Sequence, residues 1–230
     1  MNKIFAYDSP LIRFLSVLAD VMFVNILHTI CCIPIITIGP AQTALYTVAV
    51  KWCEKETAGV TEYFTAFKQN FKTSLPLWLT LLPIGLFLTA DIYLMILNQF
   101  PVEWLMWILI VPTAVFFVYA TSHLFLVEAR FSCTYRQALK NSALMALAHP
   151  FCSIVNIALT AFPIVLYFTN PEIFFYAGPF WMFFYFSVFG YLSAGCARNP
   201  YNRMIKRMQE GDEADNNAKS SESAETLETV

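Results

Sequence analysis

A single carboxylate inside an apolar segment is the residue whose type and place most directly suggest chemistry. Asp91 lies in the otherwise uncharged run Ser74–Gln99. It is about six residues, or ~9 Å along a helix, from the outer end of the span expected there. A carboxylate within a bilayer costs about 2.5–3.5 kcal/mol on insertion scales, so it normally faces protein or water. Asp91 could therefore serve a proton or substrate path, or it could hydrogen-bond a neighbouring helix.

A second set of polar residues shares one face of the first apolar helix. Arg13, Asp20 and His28 recur at helical spacing, and Asn25 lies near the edge of the same face. Such a stripe is expected to face other helices rather than lipid. It would either join helices by hydrogen bonds, at about 0.6 kcal/mol per bond, or line a ligand path. These four residues and Asp91 form the candidate intramembrane polar site.

Other chemistry is not indicated by any motif. The sequence contains no GxSxG, HExxH, P-loop or GxGxxG pattern, so the chain is not expected to be an enzyme. Scattered histidines and the lack of a CxxC pair predict neither a metal site nor a cofactor. The basic residues border apolar segments and form no isolated stripe, which excludes nucleic acid as an expected partner. Glu128 and Arg130 are expected to reach water or headgroups.

Composition indicates that membrane helices must position these residues. Of the 230 residues 58% are hydrophobic and 13% charged, whereas about a quarter are charged in a soluble domain. A bilayer core of ~30 Å needs about 20 apolar helical residues. Four spans are firmly predicted, and a first helix, Pro10–Ile33, almost as firmly. The four spans are Leu75–Leu97, Trp104–Val127, Phe151–Phe168 and Ile173–Cys196. The expected fold is all-α, a polytopic transmembrane helix bundle of five to six membrane segments in the lipid bilayer.

The helix expected at Pro40–Glu56 decides between five and six segments. Two prolines and a glycine in residues 34–40 cannot continue a helix, so the chain must turn there. The apolar part that follows, Ala41–Cys53, would span only ~20 Å. It could be a short tilted span buried against its neighbours or a re-entrant segment. Six crossings, with Met1 cytoplasmic, are favoured over five, with Met1 outside.

Two basic amphipathic helices are predicted at the cytoplasmic interface. In residues 59–73, aromatic residues recur at helical spacing and two lysines lie four apart, so the rings would insert and the lysines would reach headgroups. Packing of this helix on its own protein is a compatible alternative. The residues concerned are Phe64, Phe67, Lys68, Phe71 and Lys72. The second helix is expected at Thr134–Ala148, with Arg136 and Lys140.

The distribution of basic residues predicts the orientation. Lys and Arg concentrate in alternate loops, and the turns at residues 98–103 and 169–172 contain none. By the positive-inside rule the C-terminus, and with six crossings the N-terminus, face the cytoplasm. Residues 1–208 would form the transmembrane domain, and residues 209–230 a disordered acidic cytoplasmic tail.

Three stretches resemble a known family. Cys32–Tyr46, with the turn residues Pro34, Thr37, Gly39 and Pro40, resembles the Pro-x-x-Thr-x-Gly-Pro/Ala…Ala-Leu-Tyr signature of the YesL-like family, a bacterial domain of unknown function. Phe64–Lys72 resembles that family's Phe-x-x-Phe-Lys-x-Asn-Phe-Lys stretch, and Leu126–Phe131 is similar to a third, more generic block.

This resemblance implies a location and a context but no activity. Members are membrane proteins of Gram-positive bacteria, often encoded beside carbohydrate uptake systems and glycoside hydrolases. The chain is therefore expected in the bacterial plasma membrane, as an accessory or regulatory protein of carbohydrate use. Sugar transporter subunits or self-association are the expected partners. The alternative is a small transporter or channel that uses Asp91 and the polar face of the first helix.

Overall fold

The computed structural model describes residues 10–97, 103–131, 135–199, 201–203 and 205–206. Over these residues the chain is helical with no strand, which confirms the all-α prediction. The helices are α1 Pro10–Cys32, α2 Ile38–Cys53, α3 Val60–Ile96, α4 Glu103–Arg130, α5 Tyr135–Ala148, α6 Pro150–Thr169, α7 Pro171–Tyr176 and α8 Gly178–Asn199. All packing discussed below lies among the described residues of the unit that ends at Gly195; the described residues from Cys196 onward fall in a second unit. The predicted tail, 209–230, and most of the turn at 98–103 lie outside the described residues.

Five of the described helices are long and apolar enough to cross a membrane, namely α1, α3, α4, α6 and α8. They also expose large apolar side chains, as at Phe87 (66% exposed) and Phe168 (78%). Soluble monomers rarely expose large continuous apolar patches. Lipid is the natural neighbour of such surfaces, and the predicted polytopic bundle is confirmed.

The short helix α2 lies in the centre of the bundle. It has 16 residues, which corresponds to about 24 Å, and it is not among the five long spans. It packs against α1, α3 and α4. Its fully buried side chains are mostly small, which allows close helix contacts: Ala41, Thr43, Ala44, Leu45, Val48 and Ala49. The segment is therefore buried against its neighbours, and it begins at Ile38 rather than at Pro40.

The amphipathic segment 59–73 is not a separate helix, which corrects the prediction. It forms the first part of α3, which continues without a break for 37 residues, or about 55 Å. The expected boundary falls at Ser74, whose buried hydroxyl donates to Thr43 Oγ1 at 2.9 Å within the bundle. Pro76 removes one backbone donor, and the helix continues through it.

The aromatic residues of this segment do not behave alike. Phe67 packs against the buried core formed by α1, α2 and the start of α3, and its ring centroid lies 5.6 Å from that of Phe71. Phe64 is 41% exposed, and Lys68 and Lys72 are exposed. Packing on its own protein, the compatible alternative, is thus observed for one side of this helix.

Helix α5 is observed where the second amphipathic helix was predicted. Arg136 and Lys140 are exposed, and the opposite side faces α4. The buried residues recur at helical spacing: Ala138, Ser142, Met145 and Ala146.

The last predicted span, Ile173–Cys196, begins later than expected. The short helix α7 ends at Tyr176 and α8 starts at Gly178. Pro179 lacks a backbone N–H and disfavours helical geometry at the preceding residue, which separates the two helices. A π-helical turn, Trp181–Tyr185, follows inside α8. Such turns leave carbonyl groups without regular partners.

Candidate functional site

Asn25 on α1 stabilises the π-helical turn of α8. Its side-chain nitrogen donates to the carbonyls of Trp181 (3.1 Å) and Met182 (2.8 Å). Its oxygen accepts the backbone N–H of Ser187 at 2.7 Å. Asn25 is fully buried, and its side-chain groups are used by these three bonds. The residue therefore joins two helices and does not face a ligand path.

His28 joins α1 to α2 and α3. Its Nδ1 lies 3.3 Å from the carbonyl oxygen of Ala41, and the Tyr63 hydroxyl donates to that same carbonyl at 3.2 Å. The sulfur of Cys32 lies 3.5 Å from Nε2. His28 and Tyr63 are almost completely buried. This cluster fixes three helices together, as the helix-packing reading of the polar face expects.

Asp20 differs from the other residues of this face because it borders a cavity. The cavity has a volume of about 780 Å³ and lies between α1, the segment after α2 and α8. Asp20 is partly exposed. Gly59 lies beside it, and a Cβ atom there would lie 2.9 Å from a carboxylate oxygen of Asp20, so that the carboxylate would have to shift. Glu62 is also close enough to interact electrostatically with Asp20.

The cavity combines apolar walls with a few polar groups. Its volume falls within the range of about 300–1,000 Å³ that is usual for small-molecule sites. The groups that could bind a solute come from three parts of the chain: Ser16, Asp20, Trp52, Lys55, Glu56 and Tyr191. Both charge signs, a hydroxyl and two aromatic rings are therefore available around one space.

Lys55 adopts a backbone conformation that is unusual for a residue with a side chain. Its φ is 65°, a left-handed conformation that costs roughly 1–2 kcal/mol in an L-residue. It ends α2 in a Schellman arrangement, in which Glu56 N–H donates to the carbonyl of Lys51 at 2.9 Å and Lys55 N–H to that of Trp52 at 3.1 Å. Glycine is the usual residue at this position. Lys55 lines the cavity from this position despite the energetic cost of its backbone conformation.

The family-signature turn has a structural role. The Thr37 hydroxyl donates to the carbonyls of Cys31 (2.6 Å) and Pro34 (2.9 Å), which closes the end of α1. Gly39 allows α2 to approach α3, since a Cβ at this position would lie 2.5 Å from that of Trp78. Pro40 is buried in the first turn of α2. None of these residues lines the cavity.

Asp91 does not join the polar face of α1. It is partly exposed on α3. Within the part of the chain that the structure describes, no hydrogen bond or ion pair links it to Asp20, Asn25 or His28. The side chain of Arg13 lies outside what the structure describes. The five candidate residues therefore do not form one site.

The sequence predicted the wrong surroundings for one pair of residues, Glu128 and Arg130, and did not single out two residues of the cavity. Glu128 and Arg130 do not reach water: Glu128 is 5% exposed and the side chain of Arg130 8%. Arg130 bonds Glu54 at 2.7 Å, and Glu128 faces the hydroxyl of Thr43. The cavity residues Trp52 and Lys55 were not singled out either. What the sequence shows at these positions is a tryptophan and several charged residues at the end of α2, a helix rich in small residues.

A metal cluster of His, Cys, Asp and Glu is not found among the described residues. Comparison with known proteins shows that residues 18–92 match a family described as protein of unknown function, DUF624. The YesL-like family belongs to DUF624, so the resemblance stated from the sequence is confirmed. Neither the curated proteins nor the solved structures give a match.

Proposed function

We propose that this multi-pass membrane protein, whose residues 18–92 match DUF624, is a non-enzymatic accessory protein of carbohydrate uptake in the bacterial plasma membrane. It would bind a sugar or sugar-derived solute in the cavity beside Asp20 and report its presence to a transporter. The carbohydrate context rests on the family resemblance, and the binding role rests on the cavity.

The observation that supports binding is the chemistry of the cavity walls. Sugar hydroxyls both donate and accept hydrogen bonds, so they need carboxylates, hydroxyls and cations. Asp20, Lys55 and Glu56 supply such groups, while Trp52 and Tyr191 supply ring surface for the apolar face of a sugar. This combination fits a neutral polyhydroxylated solute better than a lipid tail, which would leave both carboxylates and the lysine without partners.

The proposed orientation places the cavity on the cytoplasmic side. Ile12 and Ser16, near the start of α1, line the same cavity as Lys55 and Glu56, which follow α2. The two ends therefore lie on one side, as expected if α1 and α2 form a hairpin. Basic residues cluster at this side, with Lys51 nearby, which favours cytoplasmic termini under the positive-inside rule. A reporter enzyme that works only in the cytoplasm should be active when it is fused to the C-terminus. Activity of a reporter that works only outside the cytoplasmic membrane would contradict this orientation.

The proposed partners are sugar transporter subunits or a second copy of this chain. Exposed lysines and arginines on α3 and α5 provide a polar surface beside the membrane: Lys68, Lys72, Arg136 and Lys140. Affinity purification under sugar induction should recover transporter subunits with the wild-type chain. Recovery of none, together with a monomeric protein in solution, would contradict the proposed partnership.

The binding proposal is tested by calorimetric titration of the purified protein with a panel of mono- and oligosaccharides. For each sugar that binds the wild-type protein, Asp20→Asn should raise the Kd at least tenfold, since one charge-assisted hydrogen bond is worth about 1.5–3 kcal/mol. Asp91→Asn is the matched control, because it removes an equivalent carboxylate away from the cavity. Binding that is lost in Asp91→Asn and kept in Asp20→Asn would instead support the transporter alternative.

A further inference from the structure

A second polar site lies where α2, α3 and α4 meet, apart from the cavity. Glu128 Oε2 lies 3.2 Å from the hydroxyl oxygen of Thr43. The Ser74 hydroxyl donates to Thr43 Oγ1 at 2.9 Å. The hydroxyls of Thr73 and Ser74 also interact with the carboxylate. Three helices thus direct oxygen atoms at one point.

The charge of Glu128 is not balanced by a neighbouring cation. The closest arginine in sequence, Arg130, turns to Glu54. Glu128 forms no ion pair with any Lys or Arg in the described ranges. Its second oxygen, Oε1, is buried and accepts no hydrogen bond of ordinary geometry from the described protein groups. A buried carboxylate whose negative charge faces only hydroxyl groups is strongly unfavourable, so it needs either a proton or a cation.

We propose that Glu128, Thr43 and Ser74, with Thr73 at the edge, bind a sodium ion. The donors are all oxygen atoms, the type that hard cations prefer. Adjacent oxygens around a six-coordinate ion with bonds of about 2.4 Å are about 3.4 Å apart, close to the observed 2.9 and 3.2 Å. One carboxylate neutralises one monovalent charge, whereas a divalent ion would leave excess charge in an apolar seam. A larger potassium ion would require the oxygens to spread further.

Access to this site is provided at Thr73. Thr73 is exposed while Ser74, the next residue on α3, is fully buried. An ion could therefore enter from the surface beside Lys72 and reach the carboxylate past the Thr73 hydroxyl. Once bound, it would link α2, α3 and α4, so the folded protein should be more stable with sodium.

The test is thermal unfolding of the purified full-length protein in detergent, in sodium, potassium or choline chloride at equal ionic strength and pH. Sodium should raise Tm saturably, by about 5 °C or more at a hundred times its Kd. Glu128→Gln should abolish the sodium-specific rise, while Glu172→Gln, an exposed carboxylate on α7, should keep it. If Glu128→Gln does not fold, Ser74→Ala should raise the Kd for sodium at least tenfold.

Three outcomes would overturn the proposal. Equal shifts in all three salts would indicate a general ionic-strength effect. A sodium rise that persists in both Glu128→Gln and Ser74→Ala would place the ion elsewhere. A Tm that responds to pH but not to sodium, with the pH response lost in Glu128→Gln, would show that the carboxylate holds a proton instead.

Discussion

Two buried asparagines, Asn25 and Asn156, allow the contribution of a hydrogen-bonded side chain to the free energy of unfolding to be measured against an internal control. Asn25 makes three hydrogen bonds to α8, two to carbonyls and one from the backbone N–H of Ser187. Asn156, on α6, is 1% exposed, and neither atom of its side-chain amide has a hydrogen-bond partner in the described part of the chain. Leucine has the same branched arrangement of side-chain heavy atoms as asparagine, is larger, and has no polar atom. The same substitution is therefore expected to have opposite effects at the two sites.

Asn25→Leu should lower the free energy of unfolding by about 3–5 kcal/mol. Hydrogen bonds between membrane helices average ~0.6 kcal/mol, and a buried donor left without its acceptor costs about 1–3 kcal/mol more. Here the donor that loses its acceptor is the buried Ser187 N–H, two residues after the π-helical turn. The substitution thus removes three bonds and leaves an unsatisfied group in the seam between α1 and α8.

Asn156→Leu should raise the free energy of unfolding by about 1 kcal/mol. Burial of an amide without hydrogen bonds costs about 1–3 kcal/mol in protein mutational data, and part of the gain is offset by imperfect packing of the new side chain. Reversible unfolding in mixed detergent micelles, followed by circular dichroism, measures both variants. Equal effects of the two substitutions, or a cost below about 0.5 kcal/mol for Asn25→Leu, would refute the assigned role of Asn25.

Two further stability changes follow from the backbone. Gly39→Ala should cost about 1–3 kcal/mol through overpacking, because its Cβ would lie 2.5 Å from Trp78 Cβ. Gly195→Ala is the control: its Cβ would meet only Cys53 Sγ, at an ordinary contact distance of 3.8 Å, so it should not lower stability in the same unfolding assay. Lys55→Gly should stabilise the protein by about 1 kcal/mol, since glycine tolerates a φ of 65°. The same variant should bind sugar more weakly in calorimetry if the lysine serves the cavity, and unchanged affinity would separate its conformation from function.

The membrane helices could be predicted because their signal is local. A run of apolar residues long enough to cross a bilayer is visible without knowledge of its neighbours, and α4, α5 and α6 begin and end close to where the sequence places them. The start of α3 was harder. Its first turns are amphipathic because one side packs on α1 and α2, and a helix covered by protein on one side has the same periodicity as a helix at the membrane surface. The sequence periodicity predicts which face of the helix is apolar, but only the folded structure shows whether protein or lipid lies against that face.

The polar sites could be predicted less well because their partners are distant in sequence. Thr43 and Glu128 are 85 residues apart, and Asn25 and Ser187 are 162 apart. A glutamate near the end of a span is expected to reach the headgroups, and nothing local indicates that α2 will cover it. Close approach of α2 depends in turn on Gly39 facing Trp78. The partners of Glu128 thus depend on how three helices pack, which its own neighbours in sequence do not reveal.

The polar face of α1 shows why an intramembrane polar residue is not by itself evidence of function. Asn25 and His28 have the same spacing signal as Asp20, yet their polar atoms bond groups on neighbouring helices. Asp20 is distinguished by the space beside it and by Gly59, whose lack of a side chain keeps the carboxylate uncovered. Gly59→Ala therefore separates a binding role of Asp20 from a packing role. A Cβ placed 2.9 Å from the carboxylate should displace Asp20 and reduce the free energy of sugar binding more than the free energy of unfolding. A lower free energy of unfolding with an unchanged Kd for sugar would assign Asp20 to packing.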